Sequence, residues 1–203
     1  MKKIVLAQAL LVAFFSLTAF VGDKNKTAVY NVDTQKSTLK WTGRKVTGEH
    51  SGNVKISNGS LNFEGNTLKS GSFEIDLTTL TVTDIQDKAS NDKLVGHLKN
   101  DDFFSVEKHP KATFVITKVQ ASGNEKADIT GNLTIKGIAN PVTFPAVIKI
   151  SGNNISASGK IVVDRTKYDI KFKSASFFEN LGDKAIEDNF DLDVNIVAAK
   201  KNS

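Results

Sequence analysis

The chain has 203 residues, with 27 Lys+Arg against 22 Asp+Glu, 39% hydrophobic residues and no Cys. That length suits one domain with a packed interior. The absence of Cys excludes disulfides, thiol nucleophiles, thiolate metal sites and a lipid-modified Cys.

Residues 1–22 read as a secretory signal peptide. Met1-Lys2-Lys3 is a basic start, Ile4 to Phe15 an apolar run broken by Gln8, and Ser16, Thr18, Ala19 and Gly22 supply small residues before Asp23. The competing reading is a membrane-anchoring helix, against which no cluster of stop-transfer charges follows. Cleavage removes Lys2 and Lys3, which lowers the formal charge from +5 to +3. It also removes Phe14, Phe15 and Phe20, leaving ten of the thirteen Phe beside two Tyr and one Trp. The remainder, 23–203, is expected to be one exported domain with no membrane span of its own, placed in a bacterial periplasm or secreted.

After Thr27 the apolar period is 2, the signature of half-buried strands. Leu39 and Trp41 alternate with Lys40 and Thr42, and Leu61 and Phe63 with Asn62 and Glu64. Phe73, Ile75 and Leu77 follow, then Ile129, Leu133 and Ile135, then Val142, Phe144, Ala146 and Ile148, and last Phe190, Leu192, Val194 and Ile196. One face of each run is polar, which fits antiparallel strands and excludes a parallel sheet covered on both sides. Asn58-Gly59, Glu64-Gly65-Asn66, Ser122-Gly123-Asn124 and Ser151-Gly152-Asn153-Asn154 read as turns between strands. Residues 84–104 read as a loop insertion with a short helix inside Asp92–Lys99, where Leu94, Val95 and Leu98 have helical spacing. Lys167 to Lys173 reads as the wet face of a strand, and Phe177 to Asp188 as irregular.

The chemistry of catalysis is sparse. No Ser stands in a Gly-x-Ser-x-Gly turn, no Gly-rich phosphate loop is present, and His50, His97 and His109 have no metal-binding spacing. Asp183, Glu187 and Asp188 do not follow a calcium-loop pattern. The basic residues form no concentrated patch for nucleic acid. A binding protein without catalytic residues, cofactor or metal is expected.

Two ordered blocks carry a resemblance. His97-Leu98, Asp102-Phe103-Phe104 and Lys108-His109-Pro110-Lys111-Ala112-Thr113-Phe114 form the first. Ile129-Thr130-Gly131-Asn132-Leu133-Thr134-Ile135-Lys136-Gly137 with Asn140-Pro141-Val142-Thr143-Phe144 form the second. Together with Tyr30-Asn31-Val32-Asp33 and the stretch from Asp188 to Val197, they resemble the YceI-like proteins over roughly residues 28–198. Leu94 and Val95 stand where many members carry an Arg-Asp pair.

The resemblance implies an all-β fold, an extended lipocalin-like barrel of eight antiparallel strands. It also implies an elongated apolar cavity for a polyisoprenoid or similar long-chain amphiphile, such as an isoprenoid quinone, a prenyl pyrophosphate or an acyl lipid. Joined to the period-2 pattern, it places Leu39, Trp41, Leu61, Phe63, Phe73, Ile75, Phe114, Ile116, Leu133 and Phe144 on the ligand side, with Phe103 and Phe104 closing one end. Arg44, Lys45 and Arg165 are the candidates for an anionic head group. The alternatives are a structural or stress-protective envelope protein with a solid barrel, and a lipid-modifying enzyme using His97 with a nearby carboxylate. The oligomeric state stays open, a dimer included.

Overall fold

The computed structural model describes residues 27–201. Nine strands form one sheet: β1 (Thr27–Val32), β2 (Thr38–Lys45), β3 (Gly48–Glu64), β4 (Thr67–Asp76), β5 (Lys111–Gly123), β6 (Lys126–Ile135), β7 (Ile138–Ser151), β8 (Asn154–Asp164) and β9 (Ile186–Lys200). One helix, α1 (Lys88–Lys99), lies between β4 and β5. The ring β3-β2-β9-β8-β7-β6-β5-β4 closes through the β3–β4 pairing, so the barrel has eight staves, all antiparallel.

The barrel has the expected eight strands, and β1 is an extra strand beside them. Both β1 and β2 pair with β3 and β9, in the same direction, so together they make one interrupted stave. The interruption is local chemistry. The Asp33 carboxylate accepts from the backbone N–H groups of Gln35 and Lys36, which turns the chain. Ser37 then accepts from Val197 N–H, and its hydroxyl donates to the Val197 carbonyl, which sews the turn to β9.

Asn58-Gly59 is not a turn. It lies inside the 17-residue β3, where the β4 register slips between Ile56 and Asn58. This bulge changes which parity faces inward: Val54 and Ile56 are buried before it, Leu61 and Phe63 after it. Beside the slip, the Asn58 side chain accepts from Gly59 N–H at 2.8 Å. A similar slip in β5, between Ile116 and Lys118, moves the inward phase from Phe114 and Ile116 to Val119. The other three Gly-Asn clusters do join strands, with Gly65 and Gly152 at positive φ of 58° and Gly123 at 148°.

The helix begins before the expected Asp92. Asp87 accepts from Ser90 N–H at 2.9 Å and starts α1 at Lys88. Asn91, read as a loop residue, donates to the carbonyls of Val82 and Ile85 and ties the helix to the segment before it. The Lys167–Lys173 strand is also corrected. Asp164 caps a 3-10 turn over Arg165–Tyr168 by accepting from Thr166 N–H, and Asp169 takes a left-handed φ of 57°. The chain therefore winds around the buried Arg165 and Ile170 instead of extending.

Barrel ends differ in their covering. At one end the strands are joined by the turns after β3, β5 and β7. The other carries α1 and residues 165–185. Lys136, in the β6–β7 turn, donates to the carbonyls of Asp101 and Asp169 and so ties both pieces of this cap together.

Candidate ligand cavity

The inward phases of the staves line two apolar chambers. The one inside the barrel has a volume of about 90 Å³, the one beneath the cap about 110 Å³. Each exceeds what one water needs, roughly 10–15 Å³. Leu39, Ile75, Leu133 and Leu192 line both, so the chambers are neighbours along the barrel with these aliphatic side chains between them. Along β9 the lining runs from Ile186 to Ile196. That length of tilted strand spans roughly 25 Å of the barrel axis.

Glycines make the bore by giving up side chains where rings need room. A Cβ on Gly131 would lie 2.3 Å from Phe114 Cζ, and one on Gly159 would lie 3.0 Å from Phe144 Cδ2. Phe114 stands between Phe73, at 6.4 Å between ring centres, and Phe144, at 5.8 Å. Gly52 serves the cap instead: a Cβ there would strike the Thr81 carbonyl at 1.7 Å. That carbonyl accepts from Trp41 Nε1 at 3.0 Å, which satisfies the indole at the cap-side wall.

Eleven of the twelve candidate side chains fall on the chamber walls. Leu61, Phe73, Phe114, Ile116 and Phe144 line the inner chamber; Trp41, Phe103 and Phe104 line the cap-side chamber; Leu39, Ile75 and Leu133 line both. Phe63 belongs to neither. It is buried against Tyr30 of β1, ring centres 5.3 Å apart and edge-on, because β1 covers this part of β3. Strand β8 supplies wall that the sequence reading passed over. Ala157, Gly159 and Ile161 alternate on its inner face, but two small residues make a weak hydrophobic signal. Leu98 roofs the cap-side chamber from the helix, and Leu80 and Ile170 roof it from irregular segments, where no period marks them.

Among the described residues Arg165 is the one deeply buried cation, 4% exposed, and it lines the cap-side chamber. Nε donates to Glu187 O, Nη1 to Ile170 O and Nη2 to Ile186 O, at 2.7–2.9 Å. Burial pulls its pKa down, opposed by the charges of Asp188 and Asp164. Asp188 sits 3.5 Å from Nη2. Burial alone would raise the Asp188 carboxyl, yet the Ser174 and Ser176 hydroxyls and the Arg165 charge hold it below the ordinary value. Nearby, burial pushes the Tyr168 phenol up to about 12. Arg44 also lines the cap-side chamber, while its guanidinium donates to Asp191 at 2.7 Å. Lys45 is exposed and lines neither chamber.

His97 pairs with Asp102 at 3.0 Å and is held edge-on by Phe103 and Phe172, at 4.9 and 4.6 Å between ring centres. It lines neither chamber. Leu94 and Val95 are half-buried and pack against the core. The proposed signal peptide lies outside the described residues.

Comparisons with known proteins agree with this architecture. The UPF0312 protein of Pseudomonas putida strain F1 is 33% identical over 103 residues, 51% of each chain. That of Pseudomonas paraeruginosa is 38% identical over 96 residues, 47% of each. The matches thus span about half the length of these curated relatives. Among solved structures, BcnA of Burkholderia cenocepacia superposes with a TM-score of 0.66 at 24% identity, over 83% of this chain and 99% of that one. A polyisoprenoid binding domain from Saccharophagus degradans, described as implicated in plant cell wall breakdown, gives 0.62 at 15% identity, over 87% and 100%. At these identities the structures establish the fold. The family model of the YceI-like domain matches residues 30–198, and the chain belongs to that family.

Proposed function

We propose that this chain is an exported lipid-binding protein that holds one polyisoprenoid or similar long-chain amphiphile in its barrel, for carriage or sequestration. The observation that carries the reading is the pair of apolar chambers that follow one another along the barrel and share Leu39, Ile75, Leu133 and Leu192 as lining. A narrow bore with aliphatic and phenyl walls rewards chain length and demands little of chain identity. Burying ten methylene equivalents contributes roughly 8 kcal/mol, the scale of micromolar binding before ordering costs. The polyisoprenoid binding of a domain with the same fold supports an isoprenoid ligand. The apolar leader of residues 1–22 supports export.

Binding is favoured over catalysis because His97, the candidate acid–base residue, stands outside both chambers. One observation favours a packed structural barrel: the Phe73-Phe114-Phe144 stack occupies part of the bore. Organic extraction of protein purified without refolding, followed by mass spectrometry, decides between them. A long-chain lipid recovered from the protein is the expected result, and its absence under several growth conditions would favour the packed barrel.

A further inference from the structure

The capped end of the barrel displays apolar residues that packing does not explain. Phe177 and Phe178 are each 51% exposed, and Val46, at the tip of the β2–β3 hairpin, is 65% exposed. They belong to one neighbourhood. Val46 N–H points to the Ala185 carbonyl, and Ile186, which pairs with Lys45, donates its N–H to Lys173 O. The loop that carries the two rings is pinned. Phe177 and Phe178 both donate to the carbonyl of the fully buried Ser174, and the Ser176 hydroxyl donates to Asp188. A held loop that turns two phenyl rings outward is a display.

Cations lie in the same loop. Lys171 Nζ lies 5.2 Å from the centre of the Phe177 ring, and Lys173 Nζ lies 5.2 Å from that of the half-buried Phe172. The hairpin and loop, residues 44–49 and 171–184, carry Arg44, Lys45, Lys171, Lys173 and Lys184 against Glu49, Glu179 and Asp183. Arg44 is paired with Glu49 and Asp191, and Lys171 with Asp169, so among the described residues Lys45, Lys173 and Lys184 are the cations of this surface outside an ion pair. Apolar side chains set among lysines fit the boundary of an anionic bilayer, where rings enter the acyl edge and ammonium groups meet phosphates.

The cavity approaches the surface beside this tip. Between Gly43↔Phe190 and Lys45↔Ile186, β2 has one residue where β9 has three, so the ladder is broken. Gly43, Arg44, Ile186, Glu187 and Asn189 at this break all line the cap-side chamber. Resting on the lipid-carrier reading, we infer that Val46, Phe177 and Phe178 form a docking tip for anionic phospholipid bilayers, which sets the β2/β9 break against the lipid surface as the route for the chain.

The absence of Cys lets one engineered thiol report the contact. Ala175→Cys, in the same loop and exposed, and, at the opposite end, Asn153→Cys are labelled with an environment-sensitive fluorophore in the protein purified from its own cells. The probes are phosphatidylcholine vesicles with and without about one-third phosphatidylglycerol. The expected result is a blue shift and rise in emission at position 175 only, on the anionic vesicles only, weakened by salt. A Phe177→Ser/Phe178→Ser variant should lose vesicle binding by about tenfold or more, the scale of one or two surface contacts. No change at 175, equal changes at 175 and 153, or a change that grows with protein concentration without vesicles would overturn the docking tip, the last pointing to a second copy. Lipid extraction separates the two claims: lipid recovered while position 175 stays silent sinks the tip alone, whereas no lipid recovered sinks the carrier.

Discussion

Gly131 shows how one missing side chain shapes the bore. The Phe114 ring occupies the space a Cβ would need, against the strand neighbour paired with Ile116. A Gly131→Val variant must push that ring aside or bend β6, and the expected cost is about 1–3 kcal/mol. Denaturant unfolding measures it, and a variant as stable as the parent would contradict the tight fit. Phe114 was legible as an inward residue because its motif and parity marked it. Gly131 was legible only as part of a motif, since a strand glycine announces close approach without naming the partner. Arg165, a head-group candidate, lines the cap-side chamber, and three of its five N–H groups donate to backbone carbonyls. Nothing in sequence distance hints at that, because the carbonyls come from Ile170 and from the start of β9.

At the level of elements, alternation located the strands and the bulges limited how far it could be followed. In β3 the inward phase changes between Ile56 and Leu61, and the Asn-Gly pair at the change imitates a hairpin turn. Both a bulge and a tight turn ask for residues that tolerate unusual backbone, so composition alone does not separate them. The bulge gives a sharp prediction. Ser57 is the extra residue, so deleting it should bring Asn58 directly after Ile56, opposite Glu74 and Ile75, and leave Leu61 and Phe63 on the inward face. The variant should therefore still fold cooperatively; circular dichroism with thermal melting tests this, and a deletion variant without a cooperative melt would refute the assigned register. Helix α1 was legible in type and C-terminal bound. Its start was hidden because Asp87, Ser90 and Asn91 suit caps and loops equally well, and here they make a cap.

On the scale of the molecule, closure of the barrel leaves no open sheet edge, and the fold holds together without any disulfide. The eight-stave closure followed from the family resemblance, while the broken stave of β1 and β2 rests on the Asp33–Ser37 turn, which has no apolar pattern to reveal it. Carboxylates tie the outer face and the cap, and they set the response to acid. Burial would raise Asp191, but Lys160 and Arg44 outweigh it and hold it below its ordinary 3.8. Asp188 is lowered likewise by its serines and Arg165, and Asp84 by the Ser51 N–H and His50, each against burial. A carboxyl lowered in the folded state binds protons more readily when unfolded. Its stabilisation is therefore complete above the unfolded value and is lost as pH falls through the folded one. Stability measured by denaturant midpoint should be flat from about pH 7 to 5 and fall below about pH 4; a rise in that range would contradict these ion pairs.

The proposed carrier holds a lipid chain inside the barrel. Ala146 lines the inner chamber beside Phe144 and Gly159, at the level a threaded ligand must pass. Native mass spectrometry of the intact protein should find one long-chain lipid per chain in the parent. It should find none in an Ala146→Phe variant that retains the parent's circular dichroism. A parent that flies empty, or a folded, plugged variant that still carries the lipid, would contradict it.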